Sequence, residues 1–234
     1  MMPTNSPAPL QKPLLGKTHM SRPSLSEIRW PMDDESRRQA EDWAAGITPR
    51  VLDWTWRAFD ALNANILSVV DLTQPLDQLE RDLTSKHFVE IQRLFGAETE
   101  GYSSIIPHHE FPENESAPGG SGKPPASDIS FIWYENQRIS WSIEAKVLKT
   151  TSALSDYLGD TEKFENGIAA PLVGEGAQIA YLLSGTADDF FVNLNTKLNL
   201  QQVTEFRGRP HRISQHSRIK LLKLTLHHMV MYCG

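Results

Sequence analysis

Three observations on the sequence predict an α/β fold. Between Asp33 and Phe95, apolar residues recur at the spacing of amphipathic helices. From Asp128 to Lys149, apolar and polar side chains alternate on both sides of a short polar turn, which is typical of a β-hairpin. Near the C-terminus, Leu221 to Met231 is an apolar run with the length of a buried strand. Because helical patterns precede these strands, we expect a sheet packed against helices.

Three helices are predicted in the N-terminal part of the chain. The first covers Asp33 to Ala45, and the second runs from Pro49 to about Val70, with Thr48 as its cap. The third runs from Leu76 to Phe95 and places its apolar residues along one side. The boundary between the first two helices rests on the proline, which is favoured in a first helical turn and disfavoured further inside a helix.

The sequence predicts that the whole chain divides into a tail, a helical extension and one domain. Residues 1–30 are rich in Pro and Ser and have no periodicity, which predicts a flexible tail. Residues 31–74 are then an N-terminal helical extension, and residues 75–234 form an α/β domain. Further predictions in that domain are a strand over Tyr102–Phe111, a Pro- and Gly-rich loop over 112–127, a helical or irregular segment over Asp156–Gly167, helices over Gly174–Ser184 and Asp188–Leu200, and a basic connector over Arg207–Ser217.

Composition excludes several classes of protein. The chain has 234 residues and a single cysteine, Cys233, which excludes an intramolecular disulfide framework and a thiolate zinc site. No apolar run approaches the roughly 18 residues that a membrane span needs. The first residues lack the apolar core of a secretory signal, so we expect a cytoplasmic protein with no membrane partner.

Charge is distributed unevenly along the chain. The formal net charge of -6 argues against a protein that coats nucleic acid, because such binding depends on Lys and Arg. The segment from Lys197 to Lys223 nevertheless has seven Lys or Arg residues and one acid, Glu205. A solvated polar surface explains these charges as well as local contact with phosphates does. The candidates for such contact are Arg207, Arg209, Arg212 and Arg218.

The predicted hairpin has one apolar and one polar face, because successive side chains of a strand point to opposite sides. Asp128, Glu144 and Lys146 all fall on the polar face, and Ala145 falls on the apolar one. Pairing centred on Asn136 places Asp128 opposite Glu144, whereas pairing one residue later places it opposite Lys146. A two-residue loop would place Asp128 opposite Ala145 instead and would require a bulge.

The three charged residues predict metal-assisted chemistry. Two carboxylates one strand spacing apart repel each other unless a cation neutralises them, and Mg²⁺ prefers oxygen ligands. Lys146 lies roughly 6.6 Å beyond Glu144 on the same side, where it can activate the attacking water and offset the charge of a phosphate. The pattern therefore indicates phosphodiester hydrolysis. A solvent-exposed ion pair worth under about 1 kcal/mol is the alternative explanation.

A motif of this kind resembles that of the PD-(D/E)XK nuclease superfamily. The resemblance rests on Pro125-x-x-Asp128, the hairpin, and Glu144-Ala145-Lys146, and it departs from the family pattern where Ser127 replaces the proline before the aspartate. It covers about residues 76–232 and implies a restriction-endonuclease-like α/β/α core with a mixed central sheet. The domain at 75–234 would then be a nuclease-like domain.

The resemblance also implies roles for individual residues. Asp128 and Glu144 would bind Mg²⁺ or Mn²⁺ with the carbonyl of Ala145, and Lys146 would act on the attacking water. Such nucleases often have a further acid on a helix before the core strands. Here Glu80 is preferred to Asp82 and Glu90 for that position. They also often have a polar group on the helix after the Glu-x-Lys strand, and Gln178 would fill that place.

The sequence thus supports one hypothesis and leaves one alternative. The hypothesis is a metal-dependent nuclease that cuts DNA rather than RNA, in bacterial defence against phage or in DNA processing, as a homodimer or a subunit of a larger complex. The alternative is a non-catalytic interaction or scaffold protein with a nuclease-like fold, which contacts its partners through the acidic N-terminal helices.

Overall fold

The computed structural model describes residues 34–98, 104–113, 124–203, 206, 208–218 and 223–234, and the tail predicted over residues 1–30 lies outside them. The described part has four α-helices and a short 3-10 helix, Leu67–Val69. The α-helices are α1 (Asp34–Asn65), α2 (Leu76–Ala97), α3 (Ser155–Glu165) and α4 (Ala187–Asn195). The strands are β1 (Ile105–Pro112), β2 (Ala126–Trp133), β3 (Ser140–Leu148), β4 (Glu175–Leu182), β5 (Leu200–Gln202), β6 (His211–His216) and β7 (Leu224–Tyr232).

The seven strands form one mixed sheet in the order β1-β2-β3-β4-β7-β6-β5. β3, β4 and β7 run parallel, and the other neighbouring pairs are antiparallel. The predicted α/β class, the mixed sheet and the buried final strand are therefore confirmed. Among the described residues, no helix combines the length and the apolar composition that crossing a membrane requires.

The helices cover both faces of the sheet, as the alternating side chains of β4 show. The hydroxyl of Tyr181 lies 2.8 Å from Nδ1 of His87 on α2. Its neighbours Ala180 and Leu182 point the other way and pack in a cluster with Tyr157 of α3 and Phe190 of α4. α1 and α2 thus lie on one face, and α3 and α4 lie on the other.

The prediction of two separate helices before Val70 is wrong. α1 is continuous from Asp34 to Asn65, with Pro49 inside it. The buried positions Ala40, Ala44, Val51 and Leu62 stay on one side of the helix across the proline. Packing of that side against the sheet compensates for the single backbone hydrogen bond that the proline removes.

The helix predicted over Gly174–Ser184 is also wrong, because Glu175–Leu182 is strand β4. Periodicity alone does not separate a short buried helix from a strand that is covered on both faces. β4 is such a strand, since it lies between β3 and β7 and its residues from Gly176 to Leu182 are all buried. The prediction of a basic connector over Arg207–Ser217 is also partly wrong, since His211–His216 is strand β6.

The hairpin register follows the pairing centred on Asn136. β2 and β3 pair from Ile129 with Ile143 to Ile132 with Ser140. The next position outward brings Asp128 level with Glu144. The sequence pattern left this register as one of three possibilities, and the structure selects it.

A hydrogen bond between buried side chains fastens α1 to β3 in the apolar core. The indole Nε1 of Trp141 donates to Oγ1 of Thr48 over 2.9 Å, and that hydroxyl donates to the carbonyl of Ala44 over 2.8 Å. The predicted role of Thr48 as a helix cap is wrong, because it lies inside α1. Its hydroxyl instead provides the partner that a buried indole N–H needs.

We expect Thr48→Val to lower the free energy of unfolding by about 1–3 kcal/mol, because it leaves the buried indole N–H of Trp141 without an acceptor. Urea denaturation followed by circular dichroism measures this loss. Thr55→Val is the matched control, since the buried hydroxyl of Thr55 donates only within its own helix, to the carbonyl of Val51. Equal losses in the two variants would contradict a role for the bond between α1 and β3.

Candidate metal centre

Four carboxylates and two lysines from four elements meet around strand β3. The carboxylates belong to Glu80 of α2, Asp128 of β2, Glu144 of β3 and Asp160 of α3, and the lysines are Lys146 of β3 and Lys163 of α3. Five of the six are connected by ion pairs, and Asp128 interacts electrostatically with Glu80, Glu144, Lys146 and Asp160. The polar face of the hairpin is therefore not a solvent-exposed ion pair of the kind considered above.

Glu80 holds the ammonium group of Lys146. Its Oε1 accepts from Nζ over 2.7 Å, and its Oε2 lies 3.3 Å from the backbone nitrogen of Val147, which donates to it. The two other acids considered on this helix, Asp82 and Glu90, pair instead with Lys86 and Arg93 one turn away. Of the three, Glu80 is the acid that the structure brings to the lysine.

Asp128 lies where β2 separates from β3. The pairing of the two strands ends at Ile129, and one residue beyond it the Oδ2 of Asp128 accepts from the backbone nitrogen of Ala145 over 2.7 Å. Because the N–H and C=O of a strand residue point to the same edge, the carbonyl of Ala145 also faces this side. Burial raises the pKa of Asp128 to about 6, although the Ala145 hydrogen bond and the charge of Lys146 act in the opposite direction.

On the other side of Asp128, strand β1 is also irregular. Its pairing with β2 includes His109 with Ile129 and Phe111 with Ser127, but Glu110, level with Asp128, has a φ of 51°. A non-glycine residue in this left-handed region is strained, and such strain clusters at functional sites. Both ladders of β2 are thus interrupted at Asp128.

Glu144 is the more deeply buried of the two predicted carboxylate ligands, with 4% of its side chain exposed. Its Oε2 accepts from Nζ of Lys163 over 2.9 Å. Burial and then the negative charge of Asp128 raise the pKa of Glu144 to about 8, despite the neighbouring ammonium.

The sequence interpretation missed Asp160 and Lys163. The ammonium of Lys163 lies 2.7 Å from Oδ1 of Asp160, one turn away on α3, and so joins this acid to Glu144. Oδ2 of Asp160 has no hydrogen-bond partner, and the ammonium of Lys146 lies 3.5 Å from it. A usable signal existed, because Asp160 falls on the same side of the helix as the buried Tyr157 and Phe164. An acid on the apolar side of a helix requires a partner.

Gln178 lies beside Glu144, but on strand β4 and not on the helix implied by the resemblance. Its Nε2 donates to the carbonyl of Tyr157 over 2.9 Å, and its Oε1 accepts from Oγ1 of Thr161 over 2.8 Å. Both ends of the amide are therefore used to hold α3 against the sheet. Gln178 positions the helix that carries Asp160.

The charges of the six groups do not balance. If all ionise, four carboxylates face two ammonium groups, which leaves two negative charges in excess. The protein can relieve this excess by protonation, as the raised pKa values of Asp128 and Glu144 indicate, or by binding a divalent cation. Within the described residues no group of three or more His, Cys, Asp or Glu side chains is arranged to hold a metal. Two carboxylates and a carbonyl nevertheless suit Mg²⁺, which keeps several of its waters.

The candidate phosphate contacts lie away from these acids or outside the described residues. Arg207 is among the residues not described. Arg209 forms a two-pronged ion pair with Asp60 of α1, with nitrogen–oxygen distances of 2.7 and 2.5 Å. The side chain of Arg218 is buried and donates to two backbone carbonyls, and burial lowers its pKa to about 10. Arg212 lies in the same row of the sheet as Glu144 but three strands away, roughly 14 Å.

Comparison with protein-family models gave no match, and comparisons with curated proteins and with solved structures found no similar protein. The chemistry of the site therefore has to be inferred from its own geometry.

We expect the stability of the wild-type protein to fall as pH rises above neutrality. A carboxyl group whose pKa is higher in the folded protein than in the unfolded chain binds more protons when folded. The free energy of unfolding therefore falls between those two pKa values, which for Glu144 are 4.5 and about 8. Above pH 6.5 the loss should be on the order of 2 kcal/mol.

Comparing wild type with Glu144→Gln by denaturation from pH 6.5 to 8.5 isolates this effect. The variant should show a much smaller decrease, and Glu162→Gln, which removes an exposed acid on α3, should behave like wild type. The comparison with the variant is needed because burial also lowers the pKa of His87, His211, His227 and His228, which makes the stability of both proteins rise with pH until the histidines of the unfolded chain, with a pKa of 6.5, are deprotonated. A decrease of the same size in Glu144→Gln would contradict the assignment.

Proposed function

We propose that this protein is a Mg²⁺- or Mn²⁺-dependent nuclease of the PD-(D/E)XK type with a restriction-endonuclease-like fold. The observation that carries the proposal is the juxtaposition of Asp128, Glu144 and Lys146 in a half-buried cluster with an excess of negative charge. A cluster with this negative charge has affinity for a divalent cation. The ammonium group of Lys146 provides a positive charge that can stabilise the negative charge on a phosphate.

The order and placement of the elements support the proposed fold. A helix that carries Glu80 comes first, three antiparallel strands follow, and α3 then leads to the parallel strand β4. This arrangement agrees with the α/β/α core with a mixed sheet that the motif resemblance implies. It also puts the helix acid, the first aspartate and the Glu-x-Lys strand next to one another.

The ligands of the cation would be the carboxylates of Asp128 and Glu144 and the carbonyl of Ala145. A bound Mg²⁺ supplies positive charge that stabilises the transition state of phosphodiester hydrolysis. The backbone N–H of Ala145 fixes the orientation of the Asp128 carboxylate before any ligand binds. Burial of Glu144 beneath α3 limits its access to water, which strengthens its electrostatic attraction for a cation.

Lys146 is the group proposed to act on the attacking water or on a phosphate oxygen. An ammonium group has three N–H donors, and Glu80 accepts one of them. Burial acts to lower the pKa of Lys146, but the hydrogen bond with Glu80 and the charges of Asp160, Glu80 and Asp128 outweigh it, so the pKa is raised and the lysine stays protonated. Glu80 therefore acts as a positioning residue for the lysine.

We further propose DNA as the substrate, with phage defence or DNA processing in the cytoplasm as the setting and a homodimer or larger complex as the active form. Arg212 lies on the same face of the sheet as Glu144 and at the same level across the strands. Its guanidinium lies 4.9 Å from the centre of the Phe191 ring. A phosphate several nucleotides from the cleavage site is within reach of such a side chain.

We expect the purified chain to cleave plasmid DNA, single-stranded DNA or RNA when Mg²⁺ or Mn²⁺ is added. Lys146→Met should lower the cleavage rate about 10²- to 10³-fold, because it removes a positive charge from the site of the developing charge. Glu144→Gln should lower it as well by removing a cation ligand. Lys149→Met, an exposed lysine at the end of the same strand, is the matched control and should retain the wild-type rate.

Gel assays measure cleavage, and thermal unfolding establishes that each variant is folded. Cleavage that persists in both Lys146→Met and Glu144→Gln would exclude this site as its source. If the wild-type protein cleaves none of the substrates and binds no divalent cation, the proposal fails. A non-catalytic scaffold protein with acidic N-terminal helices is then the better explanation.

A further inference from the structure

The ammonium group of Lys163 lies between two buried carboxylates. Its Nζ is 2.9 Å from Oε2 of Glu144 and 2.7 Å from Oδ1 of Asp160. Both acids have side chains that are only 4% exposed, whereas 39% of the lysine side chain is exposed. The acids are thus fixed in the interior, and the cation between them reaches in from the surface.

Asp160 has capacity to bind more than this lysine. Its Oδ2 is buried without a hydrogen-bond partner and faces the ammonium of Lys146 at 3.5 Å, a distance too long for a hydrogen bond. A buried carboxylate oxygen without a donor is costly, so a native protein is expected to give it a partner. A divalent cation, with its ordered waters, is a partner of suitable charge.

We propose that Asp160 is a third carboxylate of the cation site, and that a divalent cation displaces Lys163 from its position between Asp160 and Glu144. This inference rests on the proposed function and adds to it a ligand and the group that the ligand replaces. It also explains why three acids are not yet arranged around one point, since the lysine side chain stands between two of them.

The surroundings favour movement of the lysine over movement of the acids. Gln178 bonds to α3 at Tyr157 and Thr161, which fixes the helix turn that carries Asp160. Glu144 is on a central strand of the sheet, paired with Gln178 of β4 and adjacent to Ile143, which pairs with β2. Lys163 has a flexible four-carbon stem at the surface and can turn outwards to water. A divalent ion also brings twice the charge of the ammonium to the same two carboxylates.

Mn²⁺ titrations of the full chain, monitored by electron paramagnetic resonance, test this assignment without relying on cleavage. Asp160→Asn should weaken Mn²⁺ binding by about 10- to 100-fold. Lys163→Met should instead strengthen it several-fold, because the competing ammonium is gone. Glu162→Gln on the same helix and Lys149→Met, directly after β3, are matched controls for the change in charge, and both should bind as the wild-type protein does.

The double variant Asp160→Asn/Lys163→Met separates displacement from a general electrostatic effect. If the cation occupies the place of the lysine, the gain from Lys163→Met should disappear once the Asp160 ligand is gone. If the lysine merely repels a cation bound elsewhere, the same gain should persist in the double variant, which would overturn the proposal. Wild-type affinity in Asp160→Asn together with weakened binding in Glu144→Gln would overturn it too, and would leave the proposed nuclease site intact.

Destabilised variants remain informative. Lys163→Met leaves two buried carboxylates without their counter-charge, so its melting temperature should fall without metal and recover with Mn²⁺ more than that of the wild-type protein. A low melting temperature that Mn²⁺ does not raise would contradict the proposal. Absence of Mn²⁺ binding in every form of the chain would overturn both this inference and the proposed function.

Discussion

The packing of α3 on the sheet depends on the ion pairs of Lys163 with Glu144 and Asp160. Burying two carboxylates without a counter-charge is costly, and the lysine offsets part of that cost. Beneath the helix, the amide of Gln178 also bonds to the carbonyl of Tyr157 and the hydroxyl of Thr161. The sheet face under α3 is therefore held by paired charges and hydrogen bonds as well as by apolar contacts.

The two faces of the sheet consequently differ in polarity. The face under α1 and α2 contains most of the large apolar core, with residues such as Trp54, Phe131 and Trp141. The face under α3 has a polar row that continues from Gln178 to His228, whose ring nitrogens are bonded to Tyr157 and Ser214. Polar networks of this kind fix one arrangement of their elements only when their members find partners. The larger apolar core thus lies on one face of the sheet, and the buried carboxylates of Glu144 and Asp160 lie on the other.

Local patterns predicted the hairpin and its faces, because β-strand alternation is a property of neighbouring residues. Asp128, Glu144 and Lys146 were found in this way. The strand β4 was misread, since its burial comes from β3 and β7, which are distant in sequence. Asp160 and Lys163 were missed for the same reason, as only the packing of α3 brings them to Glu144. The one local indication of that contact is that Asp160 is a charged residue on the apolar side of a helix.

The irregular pairing around Asp128 has a consequence for how a ligand would meet this site. β2 pairs with β3 only from Ile129 onward, and Glu110 disrupts its pairing with β1 at the level of Asp128. The Asp128 carboxylate is oriented instead by a main-chain donor, the N–H of Ala145. Its freedom is already lost when the chain folds, so a ligand that binds this carboxylate would have little further ordering to impose. The Asp128 carboxylate and the Ala145 carbonyl would thus be preorganised for a ligand.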